Sequence, residues 1–471
     1  MTLFGTAGIR GPVRETVTPE LALQVGRAAG RDGDAFVLAR DGRETGPALV
    51  AAVEVGIESA GADVYRAGQL PTPALAFASR GRHGVMVTAS HNPPQDNGIK
   101  VFEDGVEYDR EGERRIENRV GGGDPPTTFD EWGKPGTVDV IGEYRDAVAD
   151  YARRAATGAV AFGAGSVTES GEEGEGENPL DGLAVVVDCG NGMGSLATPQ
   201  VLTSLGAEVD ALNASVDGHF PARESKPTPE SLADARRYVE EGEFDLGIGH
   251  DGDADRTVVI DGDGEVVHED TVLAVLAEHY VDVADVADPV VVTTPNASGR
   301  IDERVEAAGG RVERVRLGAL HEGVAAAEDG GGTVVFAGEP WKHVHTAFGG
   351  WIDGVTSAAV VSCLVADAGG IGPLRDPVTE RPYRKVSVEC PDALKGEVMD
   401  RLETALPDLF PEGDVDTEYG VRVDLPDGSW VLVRPSGTEP YVRVYAESDD
   451  VDELVEEASA TVEAAVAAAG E

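Results

Sequence analysis

Ser90 lies in a segment whose residue types suit the covalent transfer of a phosphoryl group. The segment Gly84–Thr88 predicts a short buried strand, and two consecutive prolines shortly after Ser90 prevent an immediate helix. We expect a stiff turn that exposes the serine hydroxyl, with His91 beside it and Lys100 one loop further on. A serine in such a turn suits nucleophilic catalysis. An ordinary strand–loop–strand connection with a polar tip is the alternative.

A second segment carries alternating carboxylates. The predicted strand Asp245–His250 is followed by Asp251, Asp253 and Asp255, and then directly by Arg256. Carboxylates in one tight loop repel each other, by about 4 kcal/mol per pair at 4 Å and an effective dielectric of 20. A divalent cation relieves this repulsion, and monodentate carboxylate oxygens suit Mg²⁺ with positions left for phosphate or water. An acidic surface turn is the alternative, because acidic clusters are common in so acidic a chain.

A third segment, close to the C-terminus, has the components of a clamp for a phosphate monoester. It lies between the predicted strands Trp430–Val433 and Tyr441–Tyr445 and contains Arg434, Ser436, Gly437 and Thr438. A guanidinium fork, two hydroxyls and main-chain amides freed by glycine can all donate to phosphate oxygens. A hairpin with ordinary hydroxyl-turn chemistry is the alternative.

A fourth group of polar residues follows the predicted strand Thr333–Ala337. Glu339 can accept hydrogen bonds from vicinal sugar hydroxyls, and Trp341 offers a flat apolar surface. Lys342 and His343 can bind anions or move protons. The capped end of a strand is an equally simple interpretation.

Two arginines near the N-terminus require separate interpretations. Arg10 lies in the glycine-punctuated segment Phe4–Gly11, where it is either structural or an anion ligand. Arg43 follows the end of another predicted strand, and we assign it to an internal ion pair before a ligand contact.

The composition bounds the partners and the environment of the chain. The 471 residues include 38 Lys and Arg against 87 Asp and Glu, which gives a formal net charge of −49. Nucleic acid and anionic membranes are therefore poor partners. The acidic groups of such a chain repel one another, and this repulsion reaches further in dilute salt because the Debye length grows from about 3 Å at 1 M to about 30 Å at 0.01 M salt. The charge therefore predicts a protein adapted to very high intracellular salt. The three cysteines are widely spaced and fit no disulfide framework: Cys189, Cys363 and Cys390. The N-terminal residues do not have the pattern of a signal peptide. We therefore expect a soluble, reduced, cytoplasmic protein.

Strand patterns alternate with helical patterns over most of the chain, which is typical of α/β layers. Predicted helices include Thr18–Gly30, Gly46–Ala60 and Asp270–Val283, and the pattern breaks around Gly121 to Val140. After about Pro377 the sequence changes to Val/Tyr/Arg strands and a final acidic helix, which indicates a smaller α+β domain.

Taken together, the segments T-A-S-H-N-P at 88–93, D-G-D-A-D-R at 251–256 and R-P-S-G-T-E-P at 434–440 resemble the α-D-phosphohexomutase family. This family includes phosphoglucomutases, phosphomannomutases and phosphoglucosamine mutases. The resemblance covers essentially the whole chain. It implies an α/β fold with three related α/β/α-layer domains (1–143, 144–262 and 263–377) and a smaller C-terminal α+β domain (378–471) around a central cleft.

The resemblance also implies a role for each matched residue. Ser90 carries the phosphoryl group, and one Mg²⁺ is held by a phosphoserine oxygen at Ser90 together with Asp251, Asp253 and Asp255. Glu339 grips sugar hydroxyls. Three residues lie near the transferring group: His91, Lys100 and Arg256. The candidates for proton transfer are Lys100 and His343. The phosphate that is not transferred is bound by Arg10, Arg434, Ser436, Gly437 and Thr438.

The reaction implied is an isomerisation of sugar phosphates of the glucose or mannose type between the 1- and 6-positions. The phosphoserine donates to a sugar monophosphate, and the bisphosphate intermediate, which also serves as activator, turns end for end. The sequence departs from the family pattern G-E-x-S-G-H, because Trp341 and Lys342 replace serine and glycine. A phosphopentomutase or phosphoglucosamine mutase, and a catalytically silent sugar-phosphate-binding protein, are the alternatives. We expect a monomer or a small homo-oligomer.

Overall fold

The computed structural model describes residues 3–5, 8–163, 178–436 and 439–470. These residues form mixed α/β layers with four sheets, which confirms the predicted fold class. The predicted domain limits stay a prediction. Among the described helices, none is both long and apolar enough to cross a bilayer.

The first sheet has seven strands in the order β1-β5-β4-β2-β3-β7, with β6 alongside β5. Its strands are β1 (Ile9–Pro12), β2 (Ala35–Arg40), β3 (Asp63–Gln69), β4 (His83–Val87), β5 (Asp96–Glu103), β6 (Val106–Glu107) and β7 (Pro135–Thr137). Its helices are α1 (Pro19–Ala29), α2 (Gly46–Ala60), α3 (Thr72–Ala78), α4 (Arg110–Gly122) and α5 (Ile141–Ala156). β2 pairs in parallel with β3 and β4, as its almost wholly buried apolar sequence predicts.

The second sheet has four strands in the order β11-β10-β8-β9. They are β8 (Ala184–Asp188), β9 (Glu208–Leu212), β10 (Leu246–His250) and β11 (Thr257–Asp261), and helices α6 (Thr198–Ser204) and α7 (Ala233–Glu241) accompany them.

The third sheet also has four strands, in the order β13-β12-β14-β15. They are β12 (Pro289–Thr293), β13 (Arg311–Arg314), β14 (Thr333–Glu339) and β15 (Lys342–Val344). The accompanying helices are α8 (Glu269–Val283), α9 (Gly299–Ala307), α10 (Leu320–Asp329), α11 (Gly354–Ala368) and α12 (Ile371–Arg375).

These three sheets share one arrangement of strands, and it positions the candidate residues. In each, a parallel strand continues into an antiparallel neighbour, as β4 into β5, β10 into β11 and β14 into β15. The three connections are the serine loop (88–95), the aspartate loop (251–256) and the short turn 340–341. The chemistry-bearing segments therefore occupy the same topological place in three related layers.

The fourth sheet is antiparallel, with the strand order β16-β20-β19-β18-β17. Its strands are β16 (Tyr383–Glu389), β17 (Asp414–Asp416), β18 (Val421–Asp424), β19 (Trp430–Pro435) and β20 (Tyr441–Glu447), and helices α13 (Lys395–Leu409) and α14 (Val451–Ala469) pack on it. It has its own apolar core, whereas one large core runs through the other three layers.

A buried ion pair joins the third and fourth sheets. Arg300 in α9 donates to Glu447 Oε1 in β20 at 2.9 Å, and Trp430 Nε1 donates to the other oxygen of Glu447 at 3.1 Å. Since both charges are almost fully buried, loss of one partner would leave an uncompensated charge in the interior.

Candidate active site

Ser90 is held by its main chain in an unusual conformation. Its φ is +51°, in the left-handed region that residues other than glycine rarely adopt. The Ser90 N–H donates to Thr88 Oγ1 at 2.9 Å, and the Ser90 hydroxyl donates to Asp251 Oδ2 at 2.6 Å. The side chain is 0% exposed, so the predicted exposure of the hydroxyl is wrong in this structure, because the aspartate loop covers it.

The aspartate loop brings its three carboxylates together. One ligand oxygen from each of Asp251, Asp253 and Asp255 lies within 4.8 Å of the others, and all three residues are buried. Asp253 Oδ1 and Asp255 Oδ1 are buried and have no hydrogen-bond partner among the described residues. Buried polar atoms are normally satisfied, so this donor set fits a hard divalent cation.

Two threonines from the first sheet's domain orient Asp253. Thr72 Oγ1, at the start of α3, donates to Asp253 Oδ2 at 2.6 Å, and Thr88 Oγ1 lies 3.2 Å from the same oxygen. The Thr72 N–H also donates to the Asp253 carbonyl at 2.9 Å. These contacts engage Oδ2 of Asp253 and leave its Oδ1 available to bind a cation. Sequence reasoning missed Thr72, because a threonine at the start of a helix is ordinary and its partner is 181 residues away.

The charges in the loop are strongly coupled. Burial, and then the charges of Asp255 and Asp253, raise the pKa of Asp251 well above its ordinary value. Burial also opposes ionisation of Asp255, but Lys342, Lys100 and Arg256 outweigh it and hold the pKa of Asp255 below its ordinary value. The loop therefore pairs an ionised carboxylate with one that favours a proton unless a cation is present.

Lys100 extends from β5 into this cluster. Its Nζ lies 2.8 Å from Glu107 Oε1 and 3.4 Å from Asp255 Oδ2. Burial alone would lower the pKa of Lys100, but the charges of Glu107 and Asp255 raise it above its ordinary value. Lys100 is thus a buried ammonium beside the aspartates. Glu107 was not predicted, although its spacing from Lys100 places both on neighbouring strands, β5 and β6.

The serine loop is also bordered by His91, Arg256 and Arg10. His91 Nδ1 lies 3.3 Å from Ser90 Oγ, and burial, followed by the charges of Arg256 and Arg10, lowers the pKa of His91 to about 2. Arg256 Nε is 3.9 Å from carboxylate oxygens of Asp251 and Asp255. Arg10 has two buried guanidinium nitrogens with no hydrogen-bond partner in the described part of the chain. A neutral imidazole and incompletely satisfied guanidinium groups suit an incoming dianion.

Arg43 forms the internal ion pair that the sequence predicts. Its Nε donates to Asp41 Oδ2 at 3.0 Å, and both side chains are 0% exposed. The remaining guanidinium donors were not predicted: they reach main-chain carbonyls of the serine loop and of the start of β5, at Ser90, Asn92, Pro93 and Asp96.

Glu339 and Lys342 face each other across the β14–β15 hairpin. Lys342 Nζ lies 3.7 Å from Glu339 Oε1 and 3.8 Å from Asp255 Oδ2. Trp341, at the turn, has a φ of +67°. The structure therefore brings Glu339 and Lys342 to the aspartate loop.

His343 lies on the opposite face of the hairpin from Lys342. Its ring packs against Phe336, with centroids 5.7 Å apart, and its Nδ1 is 3.0 Å from Ser357 Oγ. Burial lowers the pKa of His343 to about 3. The structure does not bring His343 to the serine loop, because successive residues of a strand point to opposite faces. Its Nε2 is buried and has no hydrogen-bond partner among the described residues, and its part in proton transfer stays a prediction.

The candidate phosphate clamp lies in the fourth sheet's domain. Arg434 donates from Nη2 to the Tyr445 hydroxyl at 2.8 Å, and its Nε is buried without a partner in the described residues. The Ser436 carbonyl accepts from Lys395 Nζ at 2.6 Å. The predicted ligands Gly437 and Thr438 lie outside the described residues. Among the described residues, no hydrogen bond or ion pair joins Arg434 or Ser436 to the serine loop.

Three family models match the chain. They are phosphoglucomutase/phosphomannomutase alpha/beta/alpha domain I over residues 1–125, alpha/beta/alpha domain II over 173–264, and the C-terminal domain over 386–464. A phosphopentomutase of Thermococcus kodakarensis is 42% identical, with 98% of each chain covered. A probable phosphoglucosamine mutase of Methanopyrus kandleri is 41% identical, with 95% of this chain and 94% of the relative covered.

The chain belongs to the α-D-phosphohexomutase family. A solved structure agrees: a phosphoglucomutase/phosphomannomutase family protein of Burkholderia thailandensis matches 100% of this chain and 98% of its own, with a TM-score of 0.81 and 26% identity. Membership makes this chain a phosphosugar mutase, which is an isomerase that acts by phosphoryl transfer. The buried serine, the aspartate trio and the surrounding cations are the chemical groups that such a reaction needs.

Proposed function

We propose that this mutase moves a phosphoryl group between two hydroxyls of one sugar by way of an ester on Ser90. The observation that carries the proposal is the 2.6 Å hydrogen bond from Ser90 Oγ to Asp251 Oδ2, beside two further aspartates whose ligand oxygens lie within 4.8 Å. Asp251 and its two neighbours can thus act on the same oxygen that would carry the phosphoryl group.

One Mg²⁺ is the cofactor that the aspartate trio supports. The donor set is entirely oxygen, and two of its buried oxygens have no hydrogen-bond partner in the described chain. When bound, the ion supplies charge neutralisation at the phosphoryl oxygens. Lys100 and Arg256 add positive charge beside it. His91, a neutral imidazole whose Nδ1 lies 3.3 Å from Ser90 Oγ, can exchange a hydrogen bond with that oxygen.

In the proposed sequence the phosphoryl group leaves Ser90 Oγ for a free hydroxyl of a sugar monophosphate. That hydroxyl loses its proton and Ser90 Oγ gains one, so the serine hydroxyl is restored. The resulting sugar bisphosphate turns end for end, and its original phosphoryl group returns to Ser90. Arg434, Ser436, Gly437 and Thr438, with Arg10, bind the phosphate that stays in place. The same bisphosphate loads an unphosphorylated enzyme, which makes it the activator.

For the sugar, we propose a pentose phosphate, exchanged between the 1- and 5-positions, ahead of the glucose and mannose phosphates that the motif resemblance implies. The support is the similarity to a relative called a phosphopentomutase, at 42% identity over nearly the whole chain. Glucosamine phosphate is the second candidate, favoured by the names of several other relatives.

The test is intact-mass measurement combined with turnover of ribose 5-phosphate in molar salt with Mg²⁺. We expect a phosphate adduct that is absent from Ser90→Ala and retained in Ser459→Ala, a control in α14. Ser90→Ala should lose turnover but keep sugar-phosphate binding. A protein that binds sugar phosphates without ever forming the adduct would instead be the catalytically silent relative.

A further inference from the structure

His321 shares a cavity with residues that are proposed to act on the sugar and on the cation. The lining of this cavity comes from the first, second and third layers and includes Lys100, Asp255 and Glu339. His321 is the second residue of helix α10, in the third layer. It lies in none of the motifs that the sequence matches to the family, so the proposed function gives it no role so far.

The imidazole of His321 has an unsatisfied nitrogen. Its Nε2 is buried and has no hydrogen-bond partner in the part of the chain that the structure describes. The adjacent carboxylate oxygen, Glu322 Oε1, is 4.0 Å away, beyond hydrogen-bond distance, and it already accepts from Arg316 Nη2. Because buried polar atoms are normally hydrogen-bonded, this nitrogen in a cavity wall indicates a ligand that donates to it or accepts from it.

Helix α10 directs His321 away from the third sheet. Gly323 lies so close to that sheet that a Cβ atom on it would be 2.8 Å from Val292 Cγ1 and 2.9 Å from Val315 Cβ. Residues two positions apart lie on opposite sides of a helix, about 200° round its axis. The close approach at Gly323 therefore fixes the helix in an orientation that presents His321 on the far side, where the cavity is.

We propose that His321 binds a ring hydroxyl of the sugar phosphate through Nε2. The inference rests on the proposed function, because it takes the cavity beside Glu339 as the place of the sugar ring. An imidazole nitrogen can donate to a hydroxyl or accept from it, according to the tautomer. Carboxylates in the cavity lining accept from hydroxyls but repel phosphate oxygens, so the lining suits the hydroxyl-bearing part of the substrate. These carboxylates belong to Glu107, Asp255 and Glu339.

The experiment compares ribose 5-phosphate with its 2-deoxy and 3-deoxy analogues, each of which lacks one ring hydroxyl. Wild-type kcat/KM should fall by about fivefold or more for the analogue that lacks the hydroxyl bound by His321. His321→Phe should lose this difference, because its ring has no polar atom. His321→Gln should keep part of it, because its amide nitrogen can take the place of Nε2. His219→Phe, at an exposed histidine, is the matched control and should behave as the wild type.

Two results overturn the inference: equal wild-type kcat/KM for all three sugar phosphates, or a His321→Phe variant that keeps the full wild-type difference. If His321→Phe loses its fold, His321→Asn replaces it, because its shorter side chain reaches the place of Nδ1 but not that of Nε2.

Failure of the proposed function is a separate result, since it is read from the phosphate adduct on Ser90 of the wild type. An adduct that forms while His321→Phe keeps the wild-type difference overturns only the part assigned to His321. If no adduct forms, the dissociation constants of the same three sugar phosphates test the contact with His321 without turnover.

Discussion

The guanidinium of Arg43 donates a hydrogen bond of 2.8 Å to the main-chain carbonyl of Ser90. Further donors of the same group reach the carbonyls of Asn92, Pro93 and Asp96 at 2.7, 2.6 and 2.9 Å. One planar group therefore holds the serine loop, and Asp41 orients that group from behind. Ser90 keeps its left-handed main chain because the loop around it is fixed in this way.

Arg43→Lys should lower kcat for the mutase reaction more than it raises KM. Lysine keeps the positive charge but lacks the several donors of a guanidinium group, so several of the loop carbonyls lose their hydrogen-bond partner. Each carbonyl left without a partner should lower the free energy of unfolding by about 1–3 kcal/mol. Steady-state kinetics and urea denaturation in molar salt measure the two effects. Arg14→Lys, at an exposed position, is the control, and an unchanged kcat in a folded Arg43→Lys would contradict the prediction.

Asp253→Asn should sharply weaken the dependence of turnover on Mg²⁺. The substitution keeps an oxygen that can accept from Thr72 but removes one negative charge from the trio, so the affinity for the ion falls. The Mg²⁺ concentration that gives half-maximal activity should rise by about tenfold or more, as expected when a carboxylate partner of a cation is lost. Asp263→Asn, in an exposed turn, is the control. Identical titration curves for the two variants would remove the metal role of Asp253.

Asp270 should make stability depend on pH. It lies at the start of α8, and burial, then the charge of Glu269, raise the pKa of Asp270 to about 8, against the opposing charge of Arg300. The unfolded chain releases this proton near the ordinary value of 3.8, and the folded protein releases it only near 8. The folded state therefore binds more protons between these values, and stability falls as pH rises through this window.

Asp270→Asn should remove this part of the pH dependence. The free energy of unfolding of the wild type, measured by urea denaturation in molar salt, should decline relative to that of Asp270→Asn as pH rises from about 4 to about 8. Asp282→Asn, at an exposed position of the same helix, should run parallel to the wild type. Parallel curves for wild type and Asp270→Asn would show that Asp270 ionises normally.

Removal of salt should unfold the protein. With a formal net charge of −49, the acidic surface repels itself over distances that grow from about 3 Å at 1 M to about 30 Å at 0.01 M salt. Circular dichroism should report loss of helix on dialysis into dilute buffer. Renewed addition of salt should restore the helix. A spectrum that dialysis leaves unchanged would refute the predicted adaptation to high salt.

The layers of the fold could be predicted from local patterns in the sequence. The helix Gly46–Ala60 and the start of the strand at Thr333 agree between the prediction and the structure, because an amphipathic run and a short apolar run each have one favourable conformation. The glycines and prolines that flank them mark the ends of the elements. The aspartate trio was likewise predicted, since its members share one loop.

What could not be predicted depends on contacts between remote segments. The approach of Thr72 to Asp253 and the grip of Arg43 on the serine loop need the docked layers, and neither residue type is distinctive. The packing of His343 against Phe336 could not be predicted either, because a motif gives the order of residues but not the face of the strand on which each lies. Ser90 was expected at the surface because the covering loop comes from another layer.

The hydrogen bond from Ser90 to Asp251 has a consequence for the order of events in the catalytic cycle. In the unmodified protein one oxygen of Asp251 is occupied by the serine proton. Esterification of Ser90 removes that proton and adds negative charge to the same cavity, so the phosphorylated form should attract a divalent cation more strongly than the unmodified form. By reciprocity, a cation in this cavity shifts the equilibrium between the two forms toward the ester on Ser90.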